Sequence, residues 1–272
     1  MNSDSKIYAL FGNPVRQSLS PVLHNATFQH LSINARYVAL RVDTVQDALE
    51  QIKRLNIQGG SVTIPHKTTI GEYLDEISDS ALRIGAVNTV AVSNHRLKGA
   101  NTDWTGLVSA LEELLIIKGK TFVILGAGGA ARAAVYGIRE RGGIPLIVNR
   151  TIQRGEKMAA DLNCGFYPIS DMKKIGGDCL INTTPVGMFP SHEKSPADKN
   201  ILRNFRWVMD VIYNPIKTKF LCDAQAAGCS TISGTSMFVH QGAEQIRIWT
   251  GLTPPVDFMK NVVLEKLRYG RN

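Results

Sequence analysis

The chain has 272 residues, enough for two domains of ordinary size, and its 44% apolar and 20% charged residues are those of a globular protein in water. No apolar run reaches the roughly 20 residues a membrane-spanning helix needs, and the opening MNSDSKIYALFG lacks the basic region, apolar stretch and cleavage site of a secretory leader, so a cytoplasmic location is expected. The formal charge of +8 is carried by scattered Lys and Arg and short pairs such as Lys173-Lys174, with no basic block interleaved with aromatics, which favours small anionic ligands and argues against nucleic-acid or membrane partners.

In chain order, strand-like runs at Ile7–Phe11, Tyr37–Val42 and Gly60–Ile64 alternate with helical patterns, the rhythm of an α/β domain with a largely parallel sheet. Ser20-Pro21 reads as a helix start, with Ser placed to cap and Pro at the first helical position. Thr44 begins a second helix whose Val45, Ala48, Leu49, Ile52 and Leu55 share one face. Residues 86–99 read as a hairpin turning near Ser93-Asn94-His95, and a helix from about Thr102 to Leu115 follows. Further strand-like runs are Thr121–Leu125, Ile144–Val148, CLINTT and WVMDVIY, with FPSHEKSPADKN as a long polar loop. The last segments, MFVHQGAEQIRIWTG and PVDFMKNVVLEKLRY, read as two apolar-faced helices that pack back on the first domain. The expected division is therefore 1–103 plus 236–272 and 104–235. Cys164, Cys179, Cys222 and Cys229 show no C-x-x-C spacing and read as thiols in a reducing compartment; no metal is expected.

The stretch 121–151 carries the strongest local chemistry. After the strand Thr121–Leu125, Gly126, Gly128 and Ala131 fall at the spacing G-x-G-x-x-[GA] that opens a helix. Gly126 makes the tight turn, Gly128 lets backbone N–H groups approach a pyrophosphate, and a small Ala131 allows close helix–strand packing. At the tip of the next strand, an acidic residue would accept the ribose hydroxyl of NAD. Here stand Asn149, Arg150 and Thr151, with Arg154 one turn on, and guanidinium groups bind a 2′-phosphate; NADP is the expected cofactor.

Ligands in open α/β sheets bind beyond the carboxyl ends of strands, so four polar clusters are candidates: Arg16 to Ser20, Thr63 to Lys67, Ala86 to Thr89, and Asn101 to Asp103. With the blocks GNPVRQSLSP, SVTIPHK, IGAVNTV, GANTDWTG, LGAGGAARA, NRT, NTTPVGM, DVIYNP and SGTSMFVHQGAEQ in this order, the chain resembles the shikimate dehydrogenase family over nearly its whole length. The resemblance implies an NADP-dependent enzyme of aromatic amino-acid (chorismate) biosynthesis that interconverts 3-dehydroshikimate and shikimate. It implies a Rossmann-type dinucleotide domain and an α/β substrate domain flanking a cleft, in a monomer or homodimer. Ser18 and Ser20 match the pair that binds the substrate carboxylate, with Tyr213 a further contact; Thr63, Asn88 and Gln241 match the groups that hold ring hydroxyls; Lys67 and Asp103 match the catalytic pair. For the cofactor, Gly126, Ala127, Gly128, Gly129 and Ala130 match the pyrophosphate turn, Asn149, Arg150, Thr151 and Arg154 the adenosine phosphate clamp, and Gly234 and Met237 the nicotinamide end.

Oxidising a secondary alcohol moves a hydride while the hydroxyl proton leaves, which needs a proton acceptor and a group that stabilises negative oxygen. The Lys67 ammonium stabilises alkoxide, whereas acting as base needs its neutral amine; the sequence leaves open whether Lys67 or Asp103 takes the proton, and Lys67 is the expected acid/base. Ser61 stands where many members have Asn, Trp104 where Gly is frequent, and Phe238 where Leu is common. Ser61 and Trp104 bear on ring-hydroxyl recognition and keep a quinate/shikimate dehydrogenase in view as the alternative, whereas Phe238 stands beside the nicotinamide contact. His66 is expected to be structural.

Overall fold

The computed structural model of the protein describes residues 5–189 and 191–269. The chain forms two compact units, Met1–Thr102 with Gln241–Asn272, and Asp103–His240.

The first unit opens with β1 (Lys6–Gly12), α1 (Ser20–His30), β2 (Ala35–Arg41), α2 (Val45–Arg54) and β3 (Ile57–Val62), and continues with β4 (Glu76–Ile77), α3 (Asp79–Ile84), β5 (Thr89–Ser93) and β6 (Arg96–Ala100). Its six-stranded sheet runs β2-β1-β3-β5-β6-β4. The strand–helix alternation produces the largely parallel sheet it announced, with β2, β1, β3, β6 and β4 running one way, and the one exception is β5, which pairs antiparallel with both β3 and β6. The cause is local. Asn94 and His95 adopt φ of 51° and 61°, and a two-residue turn of that hand folds β6 directly back on β5. Thr44 caps α2 in a reciprocal box, its Oγ1 accepting from the Asp47 N–H at 3.1 Å while the Asp47 carboxylate accepts from the Thr44 N–H at 2.9 Å. One face of this unit buries Ala9, Phe11, Ala48, Ile52 and Ile57. Tyr8, His24, Phe28 and Tyr37 form a second buried group, against which the half-buried Trp249 packs.

The second unit contains α4 (Asp103–Glu112), β7 (Thr121–Leu125), α5 (Gly129–Glu140), β8 (Ile144–Asn149), α6 (Ile152–Leu162), β9 (Gly165–Pro168), β10 (Cys179–Asn182), α7 (Lys199–Leu202), β11 (Trp207–Asp210), α8 (Lys219–Ala226) and β12 (Ser230–Ile232). The helix α9 (Gly234–Thr250) begins here and ends in the first unit, to which α10 (Val256–Tyr269) also belongs, packing on α1. The sheet, β12-β11-β10-β7-β8-β9, is parallel throughout. Its central strands read as continuous apolar runs because both faces are covered, with Phe122, Ile124, Ile147 and Ile181 on one core and Val123, Leu125, Val148 and Leu180 on the other. The chain leaves β7 toward β8 and β9, then returns to its other side through β10, so the turn after β7 sits at the switch point of the sheet.

Candidate active site

Four polar clusters line one edge of the first sheet. Ser18 and Ser20 follow β1. The helix α1 has Leu19 as its N-cap, so Ser20 is a first-turn residue and not the cap; instead the Ser18 Oγ accepts from the Ser20 N–H at 3.2 Å and its hydroxyl donates to Ser20 Oγ at 3.1 Å. Thr63 follows β3, its N–H donating to the Phe11 carbonyl at 2.9 Å, and β3 ends two residues before the run expected from sequence, freeing Thr63 and Ile64 to turn. Asn88 immediately precedes β5. Because β5 runs antiparallel to β3, the start of one lies against the end of the other, and the Val62 N–H donates to the Asn88 carbonyl at 2.7 Å. Asn101 and Thr102 follow β6 at the same edge, Asn101 Nδ2 donating to the Ala86 carbonyl at 2.9 Å.

Lys67 lies in a 3-10 turn, His66–Thr68, whose backbone is fastened to this edge by the Val87 N–H donating to the Lys67 carbonyl at 2.7 Å. Beside it, His66 is buried with Nε2 at 3.1 Å from the Val42 carbonyl, a structural contact. Gln241, in α9, is buried in the same unit. Asp103, the first residue of α4 and buried, opens the second unit.

Asn88 is held from several sides. Its Oδ1 accepts from the Thr102 N–H at 2.7 Å and from the Thr89 hydroxyl at 2.8 Å, while Nδ2 donates to Thr102 Oγ1 at 3.0 Å. A backbone N–H cannot become an acceptor, so the amide has one orientation. Ser61, expected to bear on ring recognition, is buried and engaged with Tyr37 and Gln245.

In the second unit, Gly126 adopts φ +117°, and a Cβ there would lie 2.7 Å from Thr183 Oγ1, so the turn needs glycine. A Cβ at Gly128, the N-cap of α5, would meet no atom within 4 Å, leaving open approach to the first-turn N–H groups of Gly129 and Ala130. Asn149 ends β8, its Nδ2 donating to the Thr151 carbonyl at 2.8 Å; Thr151 caps α6 by position with no side-chain capping bond, and Arg150 is exposed. Arg154 Nε donates to the Ala127 carbonyl at 2.9 Å, which brings the expected phosphate clamp onto the glycine turn itself. Open backbone donors, two helix N-termini and unburied guanidinium groups fit a phosphorylated dinucleotide.

Gly234 and Met237 lie in the first turn of α9, where a side chain at Gly234 would collide with the Val211 carbonyl. The Glu113 carboxylate fastens this turn, accepting from Ser236 Oγ at 2.5 Å with His240 Nε2 at 3.0 Å. Tyr213 stacks on Phe238 with ring centroids 4.2 Å apart, and Trp104 packs edge-on against Tyr136 within the nucleotide-type unit.

Sequence reasoning missed a buried pair at the ends of β10 and β11. Asn182 Nδ2 donates to Asp210 Oδ1 at 3.0 Å, the Ile212 N–H donates to the same oxygen at 3.0 Å, and Thr218 donates to Oδ2 at 2.7 Å. Burial pushes the Asp210 carboxyl up to about 6, against those three donors. The pair shapes the loops carrying NTTPVGM and the Tyr213 segment; its signal was a polar residue closing each of two apolar strands. His24 was also missed. Its ring stacks on Tyr37 at 4.3 Å, neither nitrogen meets a hydrogen-bond partner among the described residues although Gln245 lies alongside, and burial lowers it to about 3.

Among the described residues no helix is long and apolar enough to cross a membrane, and no group of three His, Cys, Asp or Glu side chains is placed to hold a metal.

Residues 10–90 match the family described as the shikimate dehydrogenase substrate binding domain, and residues 234–264 that described as the shikimate 5'-dehydrogenase C-terminal domain. A shikimate dehydrogenase (NADP(+)) of Geobacillus sp. (strain WCH70) is 42% identical over 274 residues, covering 97% of this chain and 99% of that protein. Among solved structures, a shikimate dehydrogenase in complex with NADP+ aligns with a TM-score of 0.90 at 38% identity, covering 98% of this chain and 97% of the other. The shikimate 5-dehydrogenase of Thermus thermophilus in complex with NADP(H) and shikimate aligns with a TM-score of 0.88 at 32% identity, covering 96% and 99%. With such identity running through both halves of the fold and nearly the full length of its relatives, the chain belongs to the shikimate dehydrogenase family.

Proposed function

We propose that this chain is an NADP-dependent shikimate dehydrogenase that reduces 3-dehydroshikimate reversibly to shikimate on the route to chorismate and the aromatic amino acids. The observation that carries the reading is one chain holding both a polar sheet edge with a locked Asn88 and an open Gly128 turn followed by Arg150. The first unit is the substrate domain and the second the NADP domain.

Ser18 and Ser20 donate hydroxyl hydrogen bonds to the substrate carboxylate, with Tyr213 as a further contact. Thr63, Asn88 and Gln241 hold the ring hydroxyls, each through a directional donor or acceptor. The N–H groups of Gly126 to Ala130 face the pyrophosphate; Asn149, Arg150, Thr151 and Arg154 hold the adenosine phosphate; Gly234 and Met237 flank the nicotinamide end. NADP, when bound, supplies hydride chemistry. The protein handles the proton: Lys67 stabilises negative charge on the reacting oxygen and exchanges its proton, and Asp103 orients the lysine and the hydroxyl.

The test is the rate of NADPH formation with shikimate and with quinate, each offered NADP and NAD. Turnover confined to shikimate with NADP is the expected outcome. Quinate turnover overturns the ring-pocket assignment, and preference for NAD overturns the guanidinium clamp.

A further inference from the structure

A continuous buried hydrogen-bond chain leads to Asn88 from a residue 157 positions away in sequence. The Tyr37 hydroxyl donates to Ser61 Oγ at 2.6 Å, and the Ser61 hydroxyl donates to Gln245 Oε1 at 2.8 Å. The other end of the same amide, Gln245 Nε2, donates to Thr89 Oγ1 at 3.1 Å and reaches the Asn88 carbonyl at 3.5 Å. Thr89 then donates to Asn88 Oδ1 at 2.8 Å. Tyr37, Ser61, Thr89, Asn88 and Gln245 are each no more than 6% exposed.

The chain has a fixed direction. A hydroxyl has one hydrogen, so what it donates to depends on what donates to it, and Gln245 is the member that accepts on one side and donates on the other. The far end is anchored: the Tyr37 backbone exchanges both its bonds with the Asn25 side chain, at 2.8 and 2.9 Å, and its ring is stacked on His24. Removing the Gln245 amide takes from Thr89 its donor at 3.1 Å, leaving the Thr102 hydroxyl at 3.3 Å as its neighbour, and leaves Ser61 without its acceptor. Thr89 is then free to turn its hydroxyl away from Asn88, and such buried networks lose more than one bond at a time.

We propose that Gln245 is a positioning residue for substrate recognition, setting the Asn88 carboxamide through Thr89 and passing to it the state of Ser61. The inference rests on the reading of Asn88 as a holder of a ring hydroxyl. It gives Ser61, engaged in the buried chain by Tyr37 and Gln245, a route by which to bear on ring recognition.

The test is a double-variant cycle read by calorimetric shikimate binding, with NADP binding and thermal midpoint measured on the same samples. Gln245→Leu raises the shikimate Kd by about tenfold, the scale of one misaligned buried hydrogen bond. It leaves the NADP Kd unchanged, and in turnover it raises the shikimate KM with kcat nearly constant. In an Asn88→Ala background the same substitution adds less than about twofold, since its target is gone. Ser61→Ala, which removes only one hydroxyl, shows the same non-additivity and serves if Gln245→Leu does not fold. Wild-type shikimate affinity in folded Gln245→Leu or Ser61→Ala, or a full additional loss in the Asn88→Ala background, overturns the proposal while leaving the function intact. Unchanged shikimate affinity in Asn88→Ala itself overturns the assignment of Asn88, and the proposal with it.

Discussion

The edges of the two sheets are made of different materials. In the first unit the edge is a row of side chains, Ser18, Ser20, Thr63 and Asn88, with Asn88 fixed by buried hydrogen bonds to Thr102 and Thr89. In the second unit it is mostly backbone: a Gly126 turn of positive φ, an open Gly128 and the first N–H groups of α5. A ring bearing several hydroxyls presents directional donors and acceptors, and a site that must tell one ring from another needs side chains with a fixed sense. A pyrophosphate is an anion that N–H groups satisfy from many directions, so backbone and a helix terminus serve it, and guanidinium groups such as Arg150 and Arg154 are left for a terminal phosphate. On the proposed reading, the contrast rests ring specificity on side-chain identity and pyrophosphate binding on chain conformation.

The largest expected effect breaks the first edge chemically. Lys67→Ala lowers kcat by about a thousandfold, the scale of one positioned acid–base group, while the NADP Kd stays within twofold of wild type. Loss of both together would show that Lys67 supports the fold.

Acid separates the units by sign. His24 has its folded value lowered from the ordinary 6.5 to about 3, so the stability it contributes is present above 6.5 and drains as pH falls below it. By pH 4.5 the loss from this group is about 3 kcal/mol. Asp210 acts oppositely: its folded value is raised from 3.8 to about 6, so stability in the second unit grows as pH falls through that window. Urea unfolding between pH 7 and 4.5, followed through Trp249, the only tryptophan of the first unit, shows the loss in wild type and a flatter profile in His24→Phe. An equally steep profile in the variant assigns the acid sensitivity elsewhere.

Gly126→Ala tests the backbone edge. It forces a Cβ onto Thr183 at φ +117° and lowers stability by about 2 kcal/mol, with NADP affinity falling alongside. The smallest effect is Arg150→Ala, which raises the KM for NADP by about tenfold, the scale of one charge-assisted contact, and hardly moves that for shikimate. An unchanged ratio of NADP to NAD turnover would remove Arg150 from the clamp.

The same contrast governs what could be read from sequence. The glycine turn proposed for the cofactor is contiguous: strand, glycines, helix and arginine follow one another within about thirty residues, and β7 spans the residues its apolar run announced. The capping box at Thr44 and the turn at Asn94-His95 were equally local. The two-residue β4 and the six-residue α3 escaped because neither is long enough to show a period. The antiparallel place of β5 escaped because a hairpin pattern says which strands follow each other, not where they insert. Ser61 and Gln245 lie 184 positions apart, and no spacing rule links them. Asn182 and Asp210 close separate strands, and their pairing is a fact of sheet order alone.

The buried chain through Tyr37, Ser61, Gln245 and Thr89 constrains how such an enzyme drifts. An amide at position 61 keeps the sense of the chain, its N–H2 donating to Gln245 Oε1 and its oxygen accepting from the Tyr37 hydroxyl, whereas an apolar residue there strands two buried partners at once. The buried chain thus tolerates the exchange of one polar link for another and resists the loss of one, which ties positions 61 and 245 by the sense of their hydrogen bonds.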